Sequence, residues 1–375
     1  MACRSLLVLI PPLLLLLAAL ACGGGPKAAS PVSTDSLIIA LDDEHEGTTS
    51  ALLTLIDVST GEIVAQLTSG YQTWALYRPS ASELLVSDFE GDDFQGRLRV
   101  YDIADLSQAR WSIDLTDRAA ATGYGPFWGL SRDERYLYYT VHPRNDEGEP
   151  QRLANVVGIV DLEARREVVR AEMPGFCPMF LQSGDSDVLA LCGNRRSLVS
   201  VTPEGSVSTI AGPLPAFTPA PDPRGFWRSP VYGGVYGDGG AFLAYGNGDV
   251  VFADSDQPAA NLLPSGDLRL WGSGVWGSGE WHLDDDRVLF AVGPTESESS
   301  TGILFDTLIV FDPADPLSPA RFSLPGGITH AAPLDANRVA LLDSAVSTIY
   351  LLDLASGEMT GELEAPSGAK WLVGP

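Results

Sequence analysis

Between Leu53 and Leu67 the chain reads LTLIDVSTGEIVAQL. Apolar and polar positions alternate up to Asp57, a turn passes through Ser59–Thr60–Gly61, and alternation resumes at Ile63. Period-two alternation on both sides of a short Gly-containing turn predicts a β-hairpin. Asp57 can accept hydrogen bonds from backbone N–H groups of the turn, and Gly61 can take a positive φ at no steric cost.

The same pattern returns in different words. Near the C-terminus it is almost literal, in Thr348–Leu363 (TIYLLDLASGEMTGEL). Between the two lie Leu98–Ile113, Val157–Val169, Ser197–Ile210, Asp249–Leu263 and Asp306–Leu324. The seven copies are spaced roughly 40 to 60 residues apart, a period suited to one propeller blade each.

Each of the six later hairpins is preceded by a strand–turn–strand pattern: Thr73–Phe89, Phe127–Thr140, Met179–Leu191, Val231–Ala244, Trp281–Val292 and Ala331–Leu342. Two strands plus a hairpin make a four-stranded blade. The N-terminal piece supplies only three strands, Ser36–Leu41, Ala51–Val58 and Glu62–Thr68, while the last hairpin is followed by one more, Ala369–Val373. One C-terminal and three N-terminal strands complete a seventh blade and leave no open edge at the seam. The expected fold is all-β, a seven-bladed β-propeller over residues 36–375 closed by a C-terminal strand.

Residues 1–21 carry a positive charge at Arg4 and then the run LLVLIPPLLLLLAALA, a secretory signal rather than a comfortable membrane span. The run ends Ala19–Leu20–Ala21–Cys22–Gly23, which resembles a bacterial lipoprotein cleavage site. Lipidation at Cys22 is the expectation, with ordinary signal cleavage as the alternative. Residues 22–35 are rich in Gly, Pro and Ser and read as a tether. These features predict a lipid-anchored protein of the bacterial cell envelope, on the periplasmic or extracellular face.

The 375 residues include 39 Gly and 27 Pro, about what many turns between short strands require, and the formal net charge is −26. No Lys/Arg cluster supplies the basic stripe that nucleic-acid binding needs, so a nucleic-acid partner is not expected. The acidity fits a solvated surface, or alternatively a patch that steers a basic partner. Insertions at His142–Ala154, Ala211–Arg228 and Gly293–Ile303 read as surface loops, where partner contacts concentrate.

Of the four cysteines, Cys3 falls in the signal and Cys22 at the lipidation site. Cys177 and Cys192 flank the strand pair FLQSGDSDVLAL, and an oxidising exterior would let them form a disulfide. A reactive thiol is the alternative, with no His or basic residue close in sequence to activate it. The histidines, His45, His142, His282 and His330, have no zinc or haem spacing. The acidic runs Asp42–Asp43–Glu44 and Asp284–Asp285–Asp286 lack the spacing of a calcium loop. No metal, cofactor or catalytic residue is expected in this chain. Trp271, Trp276 and Trp281 sit in a Gly/Ser-rich stretch and suggest either packing near the propeller axis or an aromatic-lined site at one mouth.

From Thr122 onward the chain resembles the heavy chain of methylamine and aromatic amine dehydrogenases, a seven-bladed periplasmic propeller. The similar stretches are Gly123–Tyr139, Val156–Gln182, the pair Cys177 and Cys192, and Trp276–Phe290. The resemblance implies that this pair is the heavy-chain disulfide and that Trp281–His282 is the family's aromatic–His pair. It further implies a non-catalytic subunit that cradles a small Cys-rich light chain bearing tryptophan tryptophylquinone. Tyr71, in SGYQTW, takes the place of a channel-lining aromatic, and Trp276, Trp281 and His282 would face the channel or partner. The chain differs from that family in its lipid-anchor signal and in a short Gly/Pro linker where the family has an N-terminal arm. A stand-alone binding or scaffold propeller is the competing expectation.

Overall fold

Strands rich in Leu, Ile and Val, each ending in a polar turn, give the molecule its units. The computed structural model describes residues 36–42, 50–90, 95–115, 128–141, 156–175, 177, 179–182, 186–192, 197–212, 230–236, 240–245, 250–254, 257–261, 268–270, 287–294, 298–299, 302–312, 315 and 318–374. Among these residues the regular structure is strand, apart from short 3-10 segments such as Pro79–Ala81.

The strands form seven four-stranded antiparallel sheets in simple meander order. Blade 1 consists of Tyr71–Arg78, Glu83–Glu90, Gln95–Asp102 and Trp111–Leu115, and blade 2 of Trp128–Leu130, Tyr136–Val141, Val156–Asp161 and Arg166–Glu172. Blade 3 consists of Met179–Gln182, Val188–Cys192, Ser197–Val201 and Val207–Ala211. Blade 4 runs Pro230–Tyr236, Gly240–Tyr245, Val250–Asp254 and Gln257–Asn261. Blade 5 runs Leu268–Leu270, Val288–Pro294, Phe305–Phe311 and Ala320–Ile328. Blade 6 runs His330–Pro333, Arg338–Asp343, Thr348–Asp353 and Met359–Glu364. Blade 7 joins Trp371–Val373 to Leu37–Asp42, Ala51–Asp57 and Glu62–Ser69.

The closing register is Ile39 with Val373, Ala40 with Leu372 and Leu41 with Trp371. The fold is therefore a β-propeller, closed as the strand bookkeeping predicts. Blade 5 departs from expectation: Leu268–Leu270, not a strand opening at Trp281, pairs with Val288–Pro294. The Gly293–Ile303 insertion carries a small ribbon, Glu298–Ser299 paired with Gly302–Ile303.

Packing between blades explains why the middle strands are apolar at nearly every position. In Leu37–Asp42, Leu37, Ile39 and Leu41 pack against Leu84, Val86 and Tyr101 of blade 1. Ile38 and Ala40 of the same strand pack against Ala340, Leu342 and Ile349 of blade 6. Blade 1 then meets blade 2 through Leu85, Leu98, Tyr139 and Val160, and blade 2 meets blade 3 through Tyr138, Ile159, Ala190 and Val199. Blades 7, 1 and 2 are thus buried on both faces, and each fully buried aliphatic side chain contributes about 1.5–3 kcal/mol. Gly158 belongs to this packing, since a Cβ there would run into the Tyr139 ring.

The outer strands alternate exposed and half-buried positions, as in Arg166–Glu172. Register shifts interrupt their pairing with the third strand at Leu55/Ile56, Ile159/Val160, Leu198/Val199 and Leu351/Leu352. Such bulges increase twist and make a free edge a poor template for another strand.

Candidate functional site

In a four-stranded meander the first and third turns lie at one end of the blade, here the turn end. In blade 7, Asp57 Oδ1 accepts from the Ser59 N–H (2.8 Å), and the Gly61 N–H donates to the Asp57 carbonyl (2.7 Å) with Gly61 at φ +74°. Blade 6 repeats this with Asp353, Ser356 (2.7 Å) and Gly357 (φ +73°). Asp102 accepts from Ala104 N–H, and Asp161 from Glu163 and Ala164. The aliphatic after each Asp (Val58, Ile103, Leu162, Leu354) is buried. Its N–H donates to the residue just before the second strand: Ser36, Ser82, Arg135 and Asn337 respectively.

This explains the recurring Asp. Burial pushes the Asp57 carboxyl up, but hydrogen bonds from Ser59 and Thr60 outweigh it and hold it below the usual range. The Ser356 N–H and hydroxyl hold Asp353 low. Asp161 is likewise held low against burial, by the Ala164 N–H and by Arg135, which pairs with it at 3.0 Å. Arg110 bridges Asp102 and Glu83, and Glu83 also pairs with Arg78 at 2.8 Å. Neighbouring blades are stitched at this end: Ser80 N–H donates to Glu134 (3.0 Å), Ser186 hydroxyl to Asp133 (2.5 Å), and Arg287 to the Ala336 carbonyl. These polar groups are occupied by the fold itself.

At the opposite end lies the Cys pair. Cys177 and Cys192 form a disulfide with Cα atoms 4.0 Å apart, and both are buried in the core between blades 2 and 3. The Thr140 hydroxyl of blade 2 donates to the Cys177 carbonyl (3.2 Å). Bonded in this way, neither sulfur is a nucleophile or a metal ligand, so the reactive-thiol alternative falls.

His330 was legible only as an isolated histidine. It opens the first strand of blade 6, is buried, and its Nδ1 accepts from the Leu372 N–H of the closing strand (3.2 Å). The Trp371 ring meets it edge-on, centroids 5.4 Å apart. Burial pushes its pKa down to about 3, so the ring is neutral at physiological pH. What could have flagged it is its place in the repeat: His330 pairs with Leu342 as Trp371 pairs with Leu41.

Of the residues singled out from sequence, Cys177 and Cys192 are brought together. Tyr71 begins the inner strand of blade 1 and pairs through its backbone with Phe89. Cys22, Trp276, Trp281 and His282 lie outside the described residues, as do His45 and His142. Among the described residues no group of three or more His, Cys, Asp or Glu side chains is placed to hold a metal ion, and no helix is long and apolar enough to cross a membrane.

No protein-family model matches the chain, and no curated protein sequence matches it. Solved structures do. A functionally unknown protein from Desulfotomaculum acetoxidans superposes with a TM-score of 0.53 at 10% identity, covering 90% of this chain and 98% of that one. Apo AztD from Citrobacter koseri gives 0.50 at 13% identity, over 88% of this chain and 81% of its own. Dihydro-heme d1 dehydrogenase NirN, in complex with DHE, gives 0.50 at 13% identity, over 92% and 76%. At such identities the likeness is one of fold alone, and the chain stands as a β-propeller with an internal disulfide.

Proposed function

We propose that this chain is an extracytoplasmic, lipid-anchored β-propeller that binds a partner and performs no chemistry of its own. The Cys177–Cys192 disulfide carries the reading, because a permanent buried disulfide belongs to an oxidising compartment. It fits the secretory leader, with Cys22 as lipid attachment site and the Gly/Pro/Ser-rich segment as tether. The described turn-end carboxylates support it too, being spent on holding turns and neighbouring blades.

A sharper version has a specific observation in its favour. The bonded pair is the one that the resemblance to amine dehydrogenase heavy chains joins. On this version the chain is the heavy subunit of a quinone-dependent amine-oxidising complex. The tryptophan tryptophylquinone resides on a small Cys-rich light chain, and Tyr71, Trp276, Trp281 and His282 face the channel or the partner. No step of the oxidation is assigned to residues of this chain.

The test is purification from native membranes, with mass spectrometry and a quinone redox stain. Incorporation of labelled fatty acid that disappears in Cys22→Ala is expected. A stoichiometric quinone-staining small chain would establish the amine-dehydrogenase version, and a lone colourless propeller would leave the binding scaffold. A protein released in soluble form without lipid would overturn the anchor.

A further inference from the structure

The ring is closed by a short strand. Trp371–Val373 pairs with Ile39–Leu41 on one side and meets His330 of blade 6 on the other. In the His330 contact the Leu372 N–H donates to an unprotonated ring nitrogen, and the Trp371 ring lies edge-on beside it. An imidazolium has no acceptor to offer: both ring nitrogens carry protons, and a protonated Nδ1 would confront the Leu372 N–H donor to donor.

We propose that His330 is an acid-labile fastener of the ring, whose protonation releases the closing strand Trp371–Val373 and opens the seam between blades 6 and 7. This goes beyond the binding role and does not depend on what the propeller binds.

Leu372, Ala332, Leu342 and Ile349 form the apolar cluster at this seam. Among the described residues, the charged groups on the strands paired here are Arg338 and Asp343 on the second strand of blade 6, Lys370 ahead of the closing strand, and Asp42 on the strand beyond it. Asp343 accepts from the Ala345 and Val346 N–H groups, and Arg338 pairs with Asp335. Burial is the cause acting on His330, and it opposes the charged form.

The folded-state pKa is depressed from the ordinary 6.5, so the closed seam is fully supported above that value and loses support as pH falls below it. While the closed form refuses the proton and the opened form takes it, the opening constant rises about tenfold per pH unit.

The test is hydrogen exchange with mass spectrometry on the full chain, from about pH 7.5 to about pH 5, with rates corrected for intrinsic exchange and read against that tenfold slope. The expected result is that the segment containing Trp371–Val373 loses protection with that slope while Val156–Glu172 of blade 2 keeps its own. His330→Asn retains an acceptor near the Nδ1 position without titrating, and is expected to flatten the slope. The proposal is overturned if both segments lose protection in step, or if the slope survives in His330→Asn. Should that variant fold poorly, the comparison of the two wild-type segments decides alone.

Discussion

Blade 3 and the seam between blades 6 and 7 face the same mechanical problem, since in each the chain must enter an inner strand and stay fixed to the end of the strand beside it. Met179 pairs with Leu191 in blade 3, as His330 pairs with Leu342 in blade 6 and Trp371 with Leu41 in blade 7. In blades 6 and 7 the residue before the inner strand donates its N–H across the junction, Thr329 to the Leu342 carbonyl (2.7 Å) and Lys370 to the Leu41 carbonyl (2.9 Å). An Asp follows in each, and its carboxylate lies against a glycine of the connecting loop: Asp343 against Gly327, and Asp42 against Gly368. Blade 3 has Cys192 where the others have Asp. There the fastening is covalent. The difference shows two solutions with opposite sensitivities, one responsive to reductant and the other to acid and to side-chain volume.

The largest expected effect comes from the covalent side. Cys177→Ala with Cys192→Ala opens a loop of sequence separation 15 and should cost about 3 kcal/mol in urea unfolding. A loss near zero would mean that the neighbouring strands hold blade 3 without it. Next, Gly327→Ala places a side chain at φ +98° and against the Asp343 carboxylate, for an expected loss of about 2 kcal/mol. Gly326→Ala is its control, because nothing lies near a Cβ there and the stability should hardly move.

Acid separates the two junctions more finely. His330 has its pKa lowered to about 3 from 6.5, so stability is complete above pH 6.5 and falls as pH drops through that window. The slope from this one group is about 1.4 kcal/mol per pH unit. It should appear equally in the protein lacking the disulfide and vanish in His330→Asn. Smallest is Thr329→Val, which keeps the backbone donor but removes the hydroxyl bond to the Leu342 carbonyl (3.2 Å), for about 1 kcal/mol. Parallel urea titrations at two pH values would rank all four.

The hairpin repeat was readable from sequence because its signal is local. Asp57, Gly61, Asp353 and Gly357 sit in turns whose hydrogen bonds are made within a few residues. The closing strand was readable for a related reason, that counting strands leaves one place for it. The inner strand of blade 5 was misread. Leu268–Leu270 is only three residues long, while Trp281–His282–Leu283 ahead of an acidic run carries the stronger strand pattern in the sequence and lies outside the described residues. The latch glycine Gly327 and the role of His330 were out of reach, since each depends on a partner in another strand. Leu37–Asp42 shows the same limit: contacts on both faces make it uniformly apolar, so its pattern says buried without saying against what. For the candidate site, the cysteines were legible as a pair, whereas a channel or partner face assembled from several blades leaves no trace in linear spacing.

Ring closure also sets a timetable for the chain as it is made. Leu37–Asp42 leaves the ribosome long before its neighbour Trp371–Val373, and it receives that neighbour only when the later strand has emerged. Until then Ile38 and Ala40 lack blade 6, and blade 7 stands one strand short. Contacts between such distant parts of a chain form slowly. A sheet assembled from the two ends of the propeller cannot be completed before Trp371–Val373 has been made, however early its other three strands appear.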